Sequence, residues 1–138
     1  MDQPREQTVF SLSNYAAMPL WLAMILAPRS AFTRRVMAMS DPILLGLSVA
    51  YVTHLSKVLD TFREVGKAAA WRGALSQPSG FLAGWTHFVA FDLFVGRWIW
   101  RTALEEGRSP RLALLLTWMA GPSGLGLFAA QRRLLRTG

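Results

Sequence analysis

The chain has 138 residues, enough for one domain, and its apolar residues, 52% of the total, are gathered in blocks long enough to matter to a bilayer. The absence of cysteine excludes a disulfide framework, thiolate metal sites and cysteine nucleophiles, and two histidines, His54 and His87, give no support for an all-protein zinc site. A formal charge of +7 would suggest nucleic acid in a soluble protein, but here the arginines cluster at the ends of apolar runs, in PRSAFTRR, GRWIWR and QRRLLR, which is the pattern of headgroup anchoring.

A hydrocarbon core of roughly 30 Å needs about 20 helical residues, and four runs approach that length. The segment MDQPREQTVF ahead of the first run carries acids as well as Arg5 and leads to no clear cleavage site, so the expectation is a complete mature chain without a signal peptide. The first span is Ser11 to Ala27, with Pro19 expected to kink it. A basic loop, PRSAFTRRVMAMSD, follows. The second span starts at Pro42, a good first helical residue, with Asp41 as its cap, and runs to about Leu59. Its second half is polar: Thr53, Lys57 and Asp60 share a helical face, as expected of a span leaving the membrane with Lys57 snorkelling to the interface and pairing with Asp60.

The segment TFREVGKAAAWRGALSQPSG is too polar to span. Phe62, Val65 and Ala69 fall on one helical face and Arg63 and Lys67 on another, so a short interfacial helix is expected, with Trp71 at headgroup level. The third span, Gly80 to Trp100, would measure about 31 Å. Arg97, Trp98, Trp100 and Arg101 make an anchor at one end, and Trp85 lies near the other. After a last polar loop, the fourth span runs from Leu112 to Ala130. Gly121-Pro122 breaks its middle, a break tolerated in a membrane when neighbouring helices or a cavity satisfy the freed backbone. The expected fold is all-α: a single membrane domain over 1–138, with spans at about 11–27, 42–59, 80–100 and 112–130 and a short interfacial helix between the second and third. The basic tail and the 57–72 segment favour both termini inside.

The third span carries the residues with chemical potential. An ionised Asp92 at mid-helix costs about 2.5–3.5 kcal/mol on insertion scales, so it needs a partner, a cavity or a proton. It is either a proton-handling or ligand-contacting carboxylate, or a structural hydrogen-bond acceptor for Lys57, Arg97 or the backbone freed at Gly121-Pro122. His87 shares a face with Gly80, Gly84 and Phe91, and the Gly80–Gly84 pair lets another helix approach closely. His87 therefore points into a helix contact, as a pigment ligand, an acid or base, or an interface hydrogen-bonding group. Asp92 lines up instead with Trp85, Phe88, Gly96 and Ile99. The five residues from His87 to Asp92 turn about 140° on a helix, so the two form no dyad on one face. Asn14 and Tyr15 are further polar groups expected to face the bundle interior. GPSGLG matches neither a P-loop nor a dinucleotide fingerprint and reads as a kinked helix.

GWTHFVAFDLFVGRW followed by SPRLALLLTWMAGPSGLGLF, with FSLSNYAAMPLWLAMILAP at the start, resembles the ABA-deficient-four-like family of small membrane proteins over nearly the whole chain. Plant members of that family are linked to neoxanthin synthesis from violaxanthin. The resemblance implies a four-helix membrane protein of carotenoid metabolism. The plant reaction opens an epoxide and removes a proton to leave an allene, which needs an acid and a base. His87 and Asp92 are then the catalytic pair, and Arg97 is an electrostatic helper or structural anchor. No cofactor is required for this. The alternative is a non-catalytic subunit of a photosynthetic or other membrane pigment–protein complex, with the aromatics of the third span, Trp85, Phe88 and Phe91 among them, binding a carotenoid or chlorin and His87 as an axial ligand. A small transporter using Asp92 is a third option. The partners expected are the lipid bilayer and a carotenoid, with no nucleic acid. The arginine-rich, lysine-poor composition points to a bacterial chain, in an inner or photosynthetic membrane, and away from the plant substrate itself.

Overall fold

The computed structural model describes residues 3–60 and 66–136, and the regular structure among them is helical. In chain order the helices are α1 (Gln3–Leu26), α2 (Ala31–Met37), α3 (Ser40–Ser56), α4 (Ala68–Leu75), α5 (Pro78–Glu105), α6 (Arg111–Ala120) and α7 (Pro122–Arg136). Among the described residues two segments are long and apolar enough to cross a membrane: Gln3–Leu26, and Ala31–Ser56, which comprises α2, a two-residue turn and α3. The other two expected spans do not meet the same test. At 28 residues, α5 would extend about 42 Å, but it carries Asp92, Arg97, Arg101 and Glu105. The run 112–130 is divided between α6 and α7.

The apolar helices satisfy their own polar side chains. Thr8, Ser13 and Asn14 in α1 donate to the carbonyls of Pro4, Val9 and Phe10, each one turn back. Ser48 and Thr53 do the same in α3, Thr86 in α5 and Thr117 in α6. A hydroxyl that bonds to its own helix needs neither water nor a neighbour, so these residues sit in apolar surroundings without an unsatisfied donor. Helix α1 continues through Pro19.

Several boundaries differ from the sequence expectation. The basic loop after α1 contains α2, capped by Ser30, whose Oγ accepts from Thr33 N at 3.0 Å. The buried Thr33 hydroxyl donates back to the carbonyls of Ala27 (2.6 Å) and Ala23 (3.0 Å), fastening α2 to the end of α1. Helix α3 starts at Ser40, so Asp41 lies inside its first turn and is not the cap. The helix ends at Ser56, so Lys57 and Asp60 lie beyond it and do not extend a face from Thr53. The expected interfacial helix is present in part as α4; Phe62, Arg63 and Val65, assigned to its faces, lie outside the described residues. Pro78 opens α5 at a first-turn position where its missing N–H costs nothing. A Schellman turn closes the helix: Gly107 has φ +69°, Arg108 N bonds to Ala103 O at 2.7 Å, and Gly107 N bonds to Leu104 O at 3.1 Å.

Contacts gather the chain into two compact units, Met1–Ala16 with Pro42–Ala90, and Ala17–Asp41 with Phe91–Gly138. In the first unit Phe10 of α1 packs on Phe81 and Trp85 of α5, with ring centroids 6.1 and 4.7 Å away. The Gly80–Gly84 face admits a close neighbour, as the spacing predicts. That neighbour is the last turn of α4: a methyl on Gly80 would overlap Ala74 O, and one on Gly84 would lie 3.3 Å from the Leu75 side chain. In the second unit Gly96 of α5 leaves room for the buried Trp21 ring, which a Cβ there would strike. Trp100, expected as a headgroup anchor, is buried, and its indole N–H donates to Pro28 O at 2.8 Å.

The largest departure concerns the expected fourth span. Helices α6 and α7 are not one kinked helix but a hairpin folded back on itself. A methyl on Gly124 of α7 would overlap Thr117 Oγ1, Thr117 N and Ala113 O of α6, although Ala113 and Gly124 would be about 16 Å apart along a straight helix. The reversal occurs at Gly121, with φ +50° and ψ −114°, a conformation that only glycine adopts readily. Beyond it, Phe128 packs edge-on against Trp98, with centroids 5.5 Å apart, and Arg132 Nε donates to Glu106 Oε1 at 2.7 Å. The hairpin therefore starts at Arg111 and returns to the same end of α5.

Candidate functional site

Asp92 is at the middle of α5, and the hairpin reversal is brought to it. A Cβ on Gly121 would lie 3.6 and 3.7 Å from the two Asp92 carboxylate oxygens. The half-buried carboxylate thus rests beside the residue that immediately precedes α7. A helix N-terminus presents unpaired N–H groups and the positive end of the backbone dipole, a favourable neighbour for negative charge. Of the structural partners the sequence offered Asp92, the one brought near it is the Gly121 backbone at the reversal. Arg97 is committed elsewhere: its guanidinium forms an ion pair with Asp41 at the start of α3. That pair explains why Asp41, expected as a cap, faces outward from its helix.

His87 belongs to the first unit. It is half-buried, and its ring lies 5.7 Å from the Tyr51 ring of α3 and 6.0 Å from that of Phe88. His87 thus meets α3, whereas the glycines that share its face pack on the last turn of α4. Trp85 is half-buried in the aromatic cluster with Phe10 and Phe81, and its indole N–H has no hydrogen-bond partner. Phe88 and Phe91 are each 61% exposed and stand out from α5. The Asn14 amide donates to Phe10 O in its own helix at 2.9 Å, and Tyr15 is exposed. Among the described residues no group of three or more His, Asp or Glu could hold a metal ion.

Sequence reasoning passed over His54. It lies in the polar second half of the second expected span, yet it is only 6% exposed, and its Nδ1 has no hydrogen-bond partner. A buried imidazole with an unsatisfied nitrogen is costly. The available signal was its position inside an apolar run, the same signal that singled out His87. Tyr51 was also missed, because only packing places it against His87.

A sequence model of the family described as ABA DEFICIENT 4-like matches residues 8–128. Protein ABA DEFICIENT 4, chloroplastic, of Arabidopsis thaliana is 25% identical over 126 residues, which cover 86% of this chain and 57% of the plant protein. The chain therefore spans little more than half the length of that relative. No solved structure matches.

Proposed function

The chain belongs to the ABA DEFICIENT 4-like family, and from that premise we propose that it is an integral membrane protein of carotenoid metabolism that isomerises a xanthophyll. The reaction class is opening of an epoxide with loss of a carbon-bound proton. One proton is delivered to the epoxide oxygen as its C–O bond breaks, and another is taken from carbon as the allene forms. Atoms and electrons balance within the substrate, so no redox partner is consumed. Asp92 and His87 are the proposed proton-handling groups, with Asp92 as the base.

The observation that carries this reading is the Asp92 carboxylate beside Gly121. Non-helical backbone at membrane depth is tolerated only where protein buries it or a cavity wets it, so a carboxylate beside such a reversal sits where polar chemistry is supported within apolar surroundings. Arg97 has a positioning role in the proposal, holding the start of α3 through Asp41.

Membranes containing the wild-type chain, Asp92→Asn or His87→Ala are incubated with an epoxy-xanthophyll, and the products are separated by chromatography. Loss of conversion at normal protein levels is expected for each variant. Unchanged product from Asp92→Asn removes that residue from the chemistry, and unchanged product from His87→Ala removes the imidazole.

A second reading, a non-catalytic carotenoid- or chlorin-binding subunit of a membrane complex, draws on the exposed rings of Phe88 and Phe91. The protein purified in mild detergent separates the two. Pigment at a fixed ratio with a co-purifying partner supports the subunit, whereas a colourless protein that converts added xanthophyll supports the enzyme.

A further inference from the structure

We propose that the end of the second unit where α1 and α5 stop, and where the α6–α7 hairpin both begins and finishes, is a docking face for anionic phospholipid headgroups, and that the hairpin enters and leaves the bilayer at that face. The inference needs the chain to be membrane-embedded but does not depend on the xanthophyll chemistry.

Hydrogen bonds bring the arginines of several elements to this end. Arg29, just after α1, donates to Gly107 O at 3.4 Å, beyond the end of α5. Arg34 of α2 donates to Arg29 O at 3.0 Å, and Arg111, opening α6, donates to Leu26 O at 3.2 Å. These guanidiniums are held by backbone carbonyls, which position them without neutralising them. Two carboxylates lie at this end, Glu105 and Glu106. Glu106 is shared by Arg108 at 3.4 Å and Arg132 at 2.7 Å, so the pair offsets only part of the charge of Arg29, Arg34, Arg35, Arg108, Arg111 and Arg132.

Arg29, Arg34, Arg35 and Arg111 are exposed, and the exposed Phe32 stands next to them on α2. An apolar side chain among cations is the composition of an interfacial helix on an anionic leaflet, where each Lys or Arg contributes about 1 kcal/mol of attraction. A nucleic acid would not use Phe32 in this way, and an acidic protein would have to compete with the bilayer into which the adjoining α1 is apolar enough to insert.

The hairpin fixes the geometry of this face. A straight fourth span would carry the basic tail to the opposite side of the membrane. With α7 folded back, Arg132 stands at Glu106, next to Gly107, whose carbonyl Arg29 reaches. The positive charge of the second unit is then gathered at one end, whereas a straight span would divide it between two.

Two measurements on the full chain test the proposal. The sequence has no cysteine, so single cysteines report cleanly. Ser109→Cys and Leu135→Cys, expressed in membranes, should react with a membrane-impermeant maleimide from the same side. Labelling from opposite sides would overturn the re-entrant hairpin. For the headgroup face, thermal unfolding is followed in nanodiscs of phosphatidylglycerol or phosphatidylcholine. The wild-type midpoint should be several degrees higher in phosphatidylglycerol, and about 0.5 M salt should abolish the difference. Arg34→Gln/Arg35→Gln should lose most of it while retaining wild-type helicity, and Arg5→Gln/Lys57→Gln should keep it. Equal midpoints in the two lipids, or equal loss in both double variants, would overturn the face. A protein that passes both tests yet converts no xanthophyll leaves this inference standing and removes the enzymatic one.

Discussion

A methyl group on Gly124 would collide with Thr117 and Ala113, whereas one on Gly126, two residues on, would meet nothing within 4 Å. The two glycines look alike in GPSGLG, and their difference arises from packing alone. Gly124→Ala should destabilise the protein by about 1–3 kcal/mol, because backbone must move to admit the new atom. Gly126→Ala should be neutral or slightly stabilising, since alanine is the better helix former. Thermal unfolding in detergent reads both, and equal midpoints for the two variants would count against the hairpin. Asn14 gives the same lesson from the polar side. The sequence shows an amide in an apolar helix but not whether it serves a site or its own backbone, because both uses satisfy the same donor.

At the scale of elements, the ends of α5 were partly legible. The span expected over 80–100 is shorter than the helix, which starts at Pro78 and takes in Thr102–Glu105 of the segment read as a polar loop. Pro78 and the Gly-Arg-Ser-Pro after Glu106 are the start and stop signals that bracket it. Helix α2 was missed because seven residues in a basic segment give too short a period to stand out, and what holds it is Thr33 bonding to the end of α1. The hairpin depends on pairs distant in sequence, Trp98 with Phe128 and Glu106 with Arg132. A double-mutant cycle on Glu106→Gln and Arg132→Gln should return a coupling of about 0.5–1 kcal/mol, typical of a partly exposed ion pair. Zero coupling is the outcome expected if α7 ran straight on from α6.

For the whole molecule, the first prediction is membrane integration. Two described segments are long and apolar enough to cross a bilayer, so the chain should remain in the membrane pellet after an alkaline carbonate wash and appear in the supernatant only with detergent. Release by carbonate alone would undermine the membrane reading and all that rests on it.

By itself the sequence determined the helical class, the apolar character of the first two spans, the family, and the choice of His87 and Asp92 as residues that need explaining. The family follows from motifs such as GWTHFVAFDLFVGRW, and the rest from run length and from the cost of polar groups in apolar runs, which are local properties of a chain. Only the tertiary structure decided what the run 112–130 does. Nineteen apolar-rich residues with a Gly-Pro in the middle are equally consistent with a bent span and a folded hairpin, since the two differ mainly in the torsions of Gly121 and in which distant side chains then meet. The same fold brought Gly121 to Asp92 and took Arg97 to Asp41. No spacing in the sequence encodes either contact, because a helix period specifies which residues share a face but not which element that face will meet.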